Sequence, residues 1–576
     1  MSKVFKELGH FKLGIFFVVI TVIGNVVASL ALPAYLSTII NQSIPNKDIA
    51  QIISIGGTML NFVLLGAICN IATGYFSSKV SMGLGKNMRS KIFKKIQYFS
   101  QSEFDHFSTS SLITRTNNDI IQVQNFVNMM LRVSLMAPFM FVGGLVMALN
   151  KSATMSMILL ISMPVMILLV LLISKFATPL SRKMQQKIDK INLVTREKLT
   201  GVRVARAFGT EDYESERFKE VNLDFMNNSI KMNTLMGAMS PVLSLILYAT
   251  TVALIAFGGY QIVMTVNGVM IGDVIAVIQY VMQIMMSVML LSMIFVMYPR
   301  ASVSASRINE VMDTIEAIQE PKEQVAAPIL KGTLEFRNVS FKFDGADHEV
   351  LKDISFKSNP GEVTAIIGST GSGKTVLINL IPRFYDVSEG EILVDGINIK
   401  DYKLEELRKK IGYVPQKAFL FKGTIAENIQ FGDVNATSGR IEEAIRIAQS
   451  YDFVTQKEGG FEAPISQGGS NVSGGQKQRL AIARAIVRKP EIYIFDDSFS
   501  ALDFKTDAAL RSALMKEAVD ATVMLVAQRV STIMHADRIL VIENGECVGI
   551  GKHDELLKSC EVYKQIVYSQ LSKEEA

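Results

Sequence analysis

The sequence predicts two halves of different fold class: an all-α, membrane-embedded half with six spans, followed by a soluble α/β half. Of the 576 residues, 49% are hydrophobic and 20% are charged, so the chain is more apolar than an ordinary soluble protein. The long uncharged runs lie within roughly the first 300 residues. The remainder alternates strand and helix patterns and contains a glycine-rich loop between a strand and a helix.

Six apolar runs are long enough to cross a bilayer, which requires about 20 residues. None of them carries Lys, Glu or Asp in its middle, and six such runs are better explained by membrane spans than by buried helices of a soluble core. The first run is too long for the apolar region of a cleavable signal peptide. The predicted spans cover residues 13–36, 52–76, 126–149, 155–173, 239–263 and 274–298.

The loops between the spans predict the orientation. The segments 77–125 and 174–238 are long and rich in Lys and Arg, whereas 37–51, 150–154 and 264–273 are short and poor in cations. The positive-inside rule therefore predicts that the amino terminus and both long segments are cytoplasmic. We expect a multi-pass protein of the plasma membrane whose soluble half is also cytoplasmic. The net charge of +5 follows from this topology and gives no reason to expect nucleic-acid binding.

Both long segments have a helical pattern that predicts membrane helices continuing into the cytoplasm, turning through a short helix and returning. The candidate turns are 102–115 and 199–218, which we expect to dock on a cytosolic domain; ordinary amphipathic helix ends are the alternative. Each turn carries two aromatic anchors, Phe104 and Phe107 in the first and Phe208 and Tyr213 in the second.

The last span is rich in methionine and contains two glutamines. Methionine is unbranched and polarizable, so it adapts to irregular partners. The span either lines a cavity for varied apolar ligands or simply packs against lipid and protein. The candidate cavity residues are Gln279, Met282, Gln283, Met286 and Met289.

In the soluble half, a strand pattern at 362–368 leads into G-x-x-x-x-G-K-[ST] and then into an apolar helix pattern, the context that makes this motif a phosphate site. The glycines allow backbone N–H groups to surround phosphates, the lysine adds a positive charge, and the threonine hydroxyl is a ligand for Mg²⁺. This phosphate loop consists of Gly368, Ser369, Thr370, Gly371, Ser372, Gly373, Lys374 and Thr375.

A second glycine-rich helix start follows about a hundred residues later. This signature segment consists of Ser473, Gly474, Gly475 and Gln476, and an apolar strand some 20 residues further on ends in Asp496 and Asp497. One nucleotide needs only one phosphate loop. The second helix start is therefore predicted to cap a nucleotide that another copy of such a domain holds.

These motifs resemble those of ATP-binding-cassette exporters of the half-transporter type, over nearly the whole chain. The resemblance implies a type I exporter fold, ATP and Mg²⁺, and three regions: transmembrane 1–310, linker 311–332 and nucleotide-binding 333–576. It implies that Phe343 stacks on adenine, that Thr375, Gln416 and Asp496 bind Mg²⁺, and that Asp503 closes the D-loop.

Two positions depart from the family pattern. Asp497 stands where the family has its catalytic glutamate, and Gln528 stands where it has the switch histidine. Both changes resemble the degenerate half of heterodimeric bacterial multidrug exporters. The resemblance implies a partner half-transporter that carries the glutamate and the histidine, and a lipophilic small-molecule substrate taken from the bilayer.

Other functions remain open at this point. The chain is alternatively a homodimeric lipid or peptide exporter with two slow ATP sites, or an ATP-responsive membrane regulator that does not transport. An importer is disfavoured because importers usually place the cassette and the spans in separate chains.

Overall fold

The computed structural model describes residues 1–264, 268–321 and 331–571. It divides into two compact units: one comprises Met1–Ile96 and Ser110–Thr314, and the other comprises Gln97–Thr109 and Ile315–Ala576. Positions 322–330 of the predicted linker 311–332 lie outside the described residues, as do 572–576 at the end of the predicted nucleotide-binding region.

The first unit is entirely helical in its described part. Six helical stretches are long and apolar enough to cross a membrane, which confirms the predicted six-span, multi-pass architecture. Its α-helices are Ser2–Leu8, Lys12–Thr38, Ile49–Gln97, Thr109–Thr114, Ile120–Met129, Leu135–Lys151, Ala153–Thr200, Val202–Phe208, Glu211–Val263 and Ile271–Asp313. A π-helical turn at Ile39–Ser43 ends the first stretch, and π-helical turns at Arg115–Asp119 and Met130–Ser134 interrupt the third.

The helices extend well beyond the predicted spans because charged and polar residues continue the helical pattern outside the apolar centre. Two short helices lie where turns were predicted. Gln101–Phe107 covers the first half of the candidate turn 102–115, and the remainder of that segment begins the next helix. Val202–Phe208 ends at Gly209, whose φ of 61° is left-handed, a backbone conformation that favours glycine.

The second unit is an α/β domain with twelve strands in its described part. The strands are β1 Leu334–Phe341, β2 Leu351–Ser358, β3 Val363–Gly368, β4 Glu389–Val394, β5 Ile397–Asn398, β6 Ile411–Val414, β7 Gly423–Thr424, β8 Pro464–Ile465, β9 Ile492–Asp496, β10 Thr522–Val526, β11 Arg538–Glu543 and β12 Glu546–Gly551. The main sheet has six strands in the order β12-β11-β3-β10-β9-β6, of which β3, β6, β9, β10 and β11 run parallel. A four-stranded antiparallel sheet has the order β2-β1-β4-β5.

Helices cover both faces of the main sheet and bury its apolar strands. The strands β9 and β10 are buried at every position, as expected for parallel strands covered on two sides. The α-helices of this unit are Gln101–Phe107, Lys374–Leu380, Leu404–Lys409, Ile425–Gln430, Ser438–Ile447, Tyr451–Gln456, Gly474–Ile486, Phe504–Glu517, Val530–Ile533, His553–Ser559 and Glu561–Gln570.

Candidate nucleotide-binding site

Four parallel strands end at one edge of the six-stranded sheet, and the candidate residues follow these ends. The strands β3, β6, β9 and β10 end at Gly368, Val414, Asp496 and Val526. Open α/β sheets bind ligands at this carboxyl edge. The fold therefore brings four chain segments together, namely the phosphate loop, Gln416, Asp497 and Gln528.

The phosphate loop turns sharply between β3 and the helix Lys374–Leu380. Gly371 and Gly373 have φ values of 84° and 100°, left-handed conformations that glycine adopts without steric cost. A Cβ atom on Gly373 would lie only 2.7 Å from the Leu351 side chain, so this position also requires glycine for space. In the rest of the loop Ser372 is buried, and Ser369, Thr370 and Gly371 are exposed.

The Lys374 ammonium group lies across the phosphate loop. It donates hydrogen bonds to the carbonyl oxygens of Gly368 at 2.9 Å and Ser369 at 2.6 Å. Burial lowers the pKa of Lys374, and the negative charges of Asp497 and Asp496 oppose that shift. A partly desolvated cation attracts a phosphate more strongly than one in bulk water, because the effective dielectric constant around it is lower.

Thr375 and Asp496 provide the oxygen atoms suited to a magnesium ion. The Thr375 hydroxyl donates a hydrogen bond to Asp496 Oδ1 at 3.1 Å, so the two oxygens already lie side by side. Burial raises the pKa of Asp496, and the hydrogen bond from Thr375 partly offsets this. Mg²⁺ beside a nucleotide usually takes one or two protein oxygens and completes its shell with water and phosphate, so this donor set fits Mg²⁺.

Asp497 lies at the centre of the site. Its Oδ2 atom accepts hydrogen bonds from the side-chain amides of Gln416 at 3.3 Å and Gln528 at 2.9 Å. Its φ of 47° is left-handed, a conformation in which Asp and Asn are enriched among residues other than glycine. Burial raises the pKa of Asp497, opposed by the hydrogen bond from Gln416. The structure thus brings these three predicted residues into direct contact.

Phe343 lies in an aromatic cluster that follows β1. Its ring packs edge-on against Phe341 at 4.9 Å and against Tyr385 at 5.5 Å between centroids, and the residue is half-buried. This leaves ring surface accessible, which stacking on a base requires.

The first two residues of the signature segment are exposed and the last two are partly exposed, and the side-chain hydrogen bonds of the segment are internal. Ser473 Oγ accepts from the Gln476 backbone N–H at 3.3 Å, and Gln476 Oε1 accepts from the Ser473 N–H at 3.0 Å. This reciprocal capping box begins the helix Gly474–Ile486. Within the described ranges no hydrogen bond joins the signature segment to the phosphate loop or to Asp496. Asp503 similarly caps the helix Phe504–Glu517 by accepting from Thr506 N–H at 3.1 Å.

The sequence reasoning missed a residue that holds the segment containing Gln528. The Gln570 side chain accepts a hydrogen bond from Val530 N–H at 2.9 Å and donates one to the Gln528 carbonyl at 2.8 Å. Gln570 ends the last helix described, Glu561–Gln570. No motif marks it, and only the fold brings it beside residues some 40 positions earlier in the chain.

In the helical unit, a cavity of about 280 Å³ lies between the third and sixth spans. Three of the predicted residues line it, Met282, Gln283 and Met286, while Gln279 and Met289 lie outside the lining. Gln283 Nε2 donates to the Ser29 carbonyl at 3.4 Å, and its Oε1 atom is buried without a hydrogen-bond partner among the described residues. The other lining residues are Val133, Met136, Ala137, Met140, Ser287 and Leu290.

Two family models match the chain. The model of the ABC transporter transmembrane region matches residues 15–288, and the ABC transporter model matches residues 351–500. The chain is similar to an uncharacterized ABC transporter ATP-binding protein of Mycobacterium tuberculosis, with 40% identity over 95% of this chain and 94% of that protein.

Relatives with more specific names are more distant. The putative multidrug export ATP-binding/permease protein YgaD of Bacillus subtilis is 31% identical over 98% of each chain. The ATP-dependent lipid A-core flippase of Mannheimia succiniciproducens is 30% identical over 98% of this chain and 97% of the flippase. The solved structure of a bacterial Atm1-family ABC exporter with ATP bound covers 98% of this chain and 99% of its own, with a TM-score of 0.82 and 22% identity, so that likeness concerns the fold.

Proposed function

Because this chain belongs to the ABC transporter family and is an exporter half-transporter with a fused membrane region and cassette, we propose that it is the degenerate-site half of a heterodimer. ABC half-transporters act as dimers, and the matches to this chain comprise one membrane region and one cassette. In the proposal, its phosphate loop and Asp496 form a site that binds ATP but hydrolyses it poorly. Its signature segment completes a second, competent site on the partner.

The observation that carries this proposal is the environment of Asp497. Its carboxylate is one methylene shorter than the family's glutamate, and one oxygen accepts from both Gln416 and Gln528. An attacking water would therefore lie at the wrong distance from this carboxylate, and a misplacement of about 1 Å costs on the order of 100-fold in rate. Gln528 donates a neutral hydrogen bond and adds no positive charge beside a developing phosphate charge.

The remaining residues of this site support binding. Lys374 places a positive charge in the phosphate loop, and Phe343 offers an aromatic face to the base. Thr375, Asp496 and Gln416 are the residues that would hold Mg²⁺, which when bound neutralises phosphate charge. A site with these groups intact and an altered base retains nucleotide while contributing little turnover.

The signature segment supports the competent half of the proposal. Ser473 and Gln476 satisfy each other's backbone N–H groups, while the exposed Gly474 presents its N–H at a helix start, where the helix dipole favours an anion. The partner would supply the phosphate loop, glutamate and histidine opposite this segment.

The two short helices also support a dimer. In Gln101–Phe107, Glu103 and Phe107 are buried, whereas no residue of Val202–Phe208 is buried. Phe208 and Tyr213 keep 78% and 70% of their surface exposed, and exposed apolar surface of this kind marks interaction sites when it forms a patch. We propose that Phe208 and Tyr213 contact the cassette of the partner. In this proposal the amino terminus and both short helices are cytoplasmic, as the distribution of cations in the loops predicts.

For the substrate we propose lipophilic compounds of the multidrug type. Apolar atoms line the cavity between the third and sixth spans. A ligand with a largely apolar surface complements such a wall. One relative is named a putative multidrug export protein and another an ATP-dependent lipid A-core flippase, and the proposal draws on both names.

The decisive experiment measures ATP hydrolysis by the co-expressed complex. Four versions are compared: the unaltered complex, Asp497→Glu, Gln528→His, and a Glu→Gln change at the partner's catalytic position. We expect the partner change to abolish turnover. Asp497→Glu and Gln528→His should each leave the hydrolysis rate close to that of the unaltered complex, because the partner's site already performs the hydrolysis.

Robust ATPase activity of this chain purified alone would contradict the proposal and would indicate a homodimer with two working sites. Transport of a fluorescent lipophilic dye into inverted vesicles separates an exporter from a regulator. ATP-dependent dye accumulation that the partner's Glu→Gln change removes supports export.

A further inference from the structure

The amino-terminal end of the first span packs closely against the carboxyl-terminal end of the second. A Cβ atom at Gly14 would lie only 2.6 Å from the Val80 side chain, and one at Gly83 would lie 2.6 Å from the Phe11 ring. Glycine at these two positions lets the two helices approach each other. The predicted spans begin at position 13 and end at position 76, so this crossing lies at the expected boundary of the membrane.

Four aromatic rings, which we call the aromatic strip, lie about one helical turn from this crossing and extend over both helices. The strip consists of Phe16, Phe17, Tyr75 and Phe76. Phe17 stacks on Phe76 at 5.0 Å between ring centroids, and Phe16 meets Phe17 at 6.0 Å. On the second helix, Tyr75 meets Phe76 at 5.3 Å. Phe16 and Tyr75 keep 59% and 60% of their surface exposed, so the strip presents ring surface to whatever surrounds the spans.

Lys79 lies at one end of the aromatic strip. Its Nζ atom is 5.8 Å from the centroid of the Tyr75 ring, within reach of a cation–π contact. Lys12 stands between Phe11 and Gly14 in the chain and therefore lies at the level of the same crossing. Both lysines are exposed, and over the described ranges neither forms an ion pair. Their positive charges are therefore available to an anion.

The charge around the strip also favours an anion. Residues 1–13 and 77–97 contain nine Lys and Arg side chains and a single carboxylate, that of Glu7, which pairs with Lys91 at 2.6 Å. Positions 49–102 contain no Asp or Glu at all. A surface that concentrates charge of one sign attracts ions of the opposite sign, and at a membrane boundary these are the headgroups of acidic lipids.

We propose that the aromatic strip and Lys79, supported by Lys12, form a binding site for an acidic phospholipid. The headgroup phosphate pairs with the lysines, while the upper acyl chains lie along Phe16 and Tyr75. A phospholipid joins an anion to apolar chains at the depth where this surface joins lysines to aromatic rings. Its assignment to the cytoplasmic leaflet rests on the proposed orientation.

This lipid site is separate from the cavity between the third and sixth spans. None of the residues that line the cavity belongs to the aromatic strip, and the strip lies on the exposed side of the first two spans. A lipid held there is therefore a bound partner of the transporter and not its cargo.

The test uses tryptophan fluorescence, because the chain contains no Trp. Phe16→Trp places one reporter in the strip and keeps an aromatic ring there. The full chain is co-purified with its partner and reconstituted in nanodiscs of phosphatidylcholine and phosphatidylglycerol, and the complex without the reporter gives the background. Quenching is compared when either the zwitterionic phosphatidylcholine or the acidic phosphatidylglycerol is brominated. We expect phosphatidylglycerol to bind beside the reporter at least about fivefold more tightly, the preference that one lysine near a bilayer surface provides.

Lys79→Gln, made together with the reporter, should reduce this preference about fivefold. Lys94→Gln is the matched control, because Lys94 is an exposed lysine of the same helix that lies about 22 Å further along its axis. That distance exceeds the Debye length of about 8 Å at physiological salt, so the control should keep the full preference. Glycerol phosphate added in solution should not compete, because it carries no acyl chains.

Equal quenching by the two lipids would overturn the inference, as would an equal loss of preference in Lys79→Gln and Lys94→Gln. Competition by dissolved glycerol phosphate would assign the lysines to a free anion instead. A reporter that neither brominated lipid quenches would show that helices of the partner cover the strip, which also refutes the site. Nanodiscs contain both leaflets and the assay needs no ATP, so its failure is distinguishable from a failure of the proposed orientation or of the degenerate-site proposal.

Discussion

The phosphate loop and the signature segment are both glycine-rich helix starts, yet their surroundings differ. Around the loop, this chain supplies Asp496 beside Thr375 and the Gln416–Asp497–Gln528 cluster. In the signature segment Ser473 and Gln476 cap each other, and only Ser473 and Gly474 are exposed. The residues that depart from the family pattern thus lie around the phosphate loop, whereas the signature segment keeps that pattern, and no hydrogen bond within the described ranges joins it to the phosphate loop.

The two segments therefore need not serve the same ATP. The residues that would align water accompany the phosphate loop, and they are the ones that depart from the family pattern. If the signature segment works on the partner's nucleotide, substitutions in the two segments should differ sharply in their effect on turnover.

The largest effect is expected for Gly474→Asp. A Cβ atom at Gly474 meets nothing within 4 Å, and an acidic residue at a helix start is favourable for the helix, so the protein should fold normally. The added carboxylate repels the partner's nucleotide, and loss of one such anion-stabilising contact typically costs about 100-fold or more in turnover. The measurement is phosphate release by the complex.

Gly439→Asp is the matched control for this prediction. Gly439 also lies in the first turn of a helix, Ser438–Ile447, and likewise meets nothing within 4 Å. Its substitution should leave turnover unchanged. An unimpaired Gly474→Asp complex would show that the signature segment is not part of a working site.

A smaller effect is expected for Asp497→Asn. Asparagine tolerates the left-handed φ of 47° and keeps the shape of the side chain. Because this carboxylate is not expected to be the working base, turnover should fall by less than about tenfold, compared with roughly 100-fold or more for loss of a true general base. A loss as large as that of Gly474→Asp would contradict this expectation and make Asp497 catalytic.

The same substitution should change stability with pH. Burial raises the folded-state pKa of Asp497, so its contribution to stability is present below the unfolded-state pKa and is lost as pH rises through the folded-state pKa. Asp497→Asn should therefore raise the thermal unfolding midpoint of nucleotide-free protein at neutral pH. Near pH 4, about the ordinary carboxylate pKa, the same substitution should change the midpoint little. An equal rise of the unfolding midpoint at both pH values would show that packing, and not the charge of Asp497, causes the change in stability.

The smallest effect is expected for Gln570→Ala. The variant loses the two hydrogen bonds that hold Gln528 and Val530, each contributing about 1 kcal/mol at most in such an exposed position. The cassette should unfold at a slightly lower temperature with turnover of the complex unchanged. Ser569→Ala, which removes only a bond within its own helix, is the control, and a turnover defect in Gln570→Ala alone would assign hydrolysis to this chain's own site.

The sequence allowed the six spans and the phosphate loop to be predicted because both signals are local. An apolar run of sufficient length identifies a span by itself, and the loop motif lies within eight consecutive residues between a strand and a helix. The departures at Asp497 and Gln528 were equally visible, since each occupies a fixed place within a short motif.

The contacts between distant segments could not be predicted. The Asp497 carboxylate accepts hydrogen bonds from Gln416 and Gln528 because β6, β9 and β10 end at one sheet edge. The Tyr385 hydroxyl donates a hydrogen bond to Asp105, which lies 280 positions earlier in the chain. The cavity shows the same limit: Val133 and Met136 line it and were not foreseen, because a helix that is apolar all round carries no signal of which side faces its neighbours.

The helix Glu211–Val263 has 53 residues, which corresponds to a rod about 80 Å long at 1.5 Å per residue. The hydrocarbon core of a bilayer is about 30 Å thick, so roughly 50 Å of this rod stands outside it. A rod with that overhang acts as a mechanical lever. A tilt of about 5° within the bilayer displaces its far end by about 4 Å, more than the length of a hydrogen bond, so small angular changes inside the membrane are sufficient to make or break contacts at the distant end.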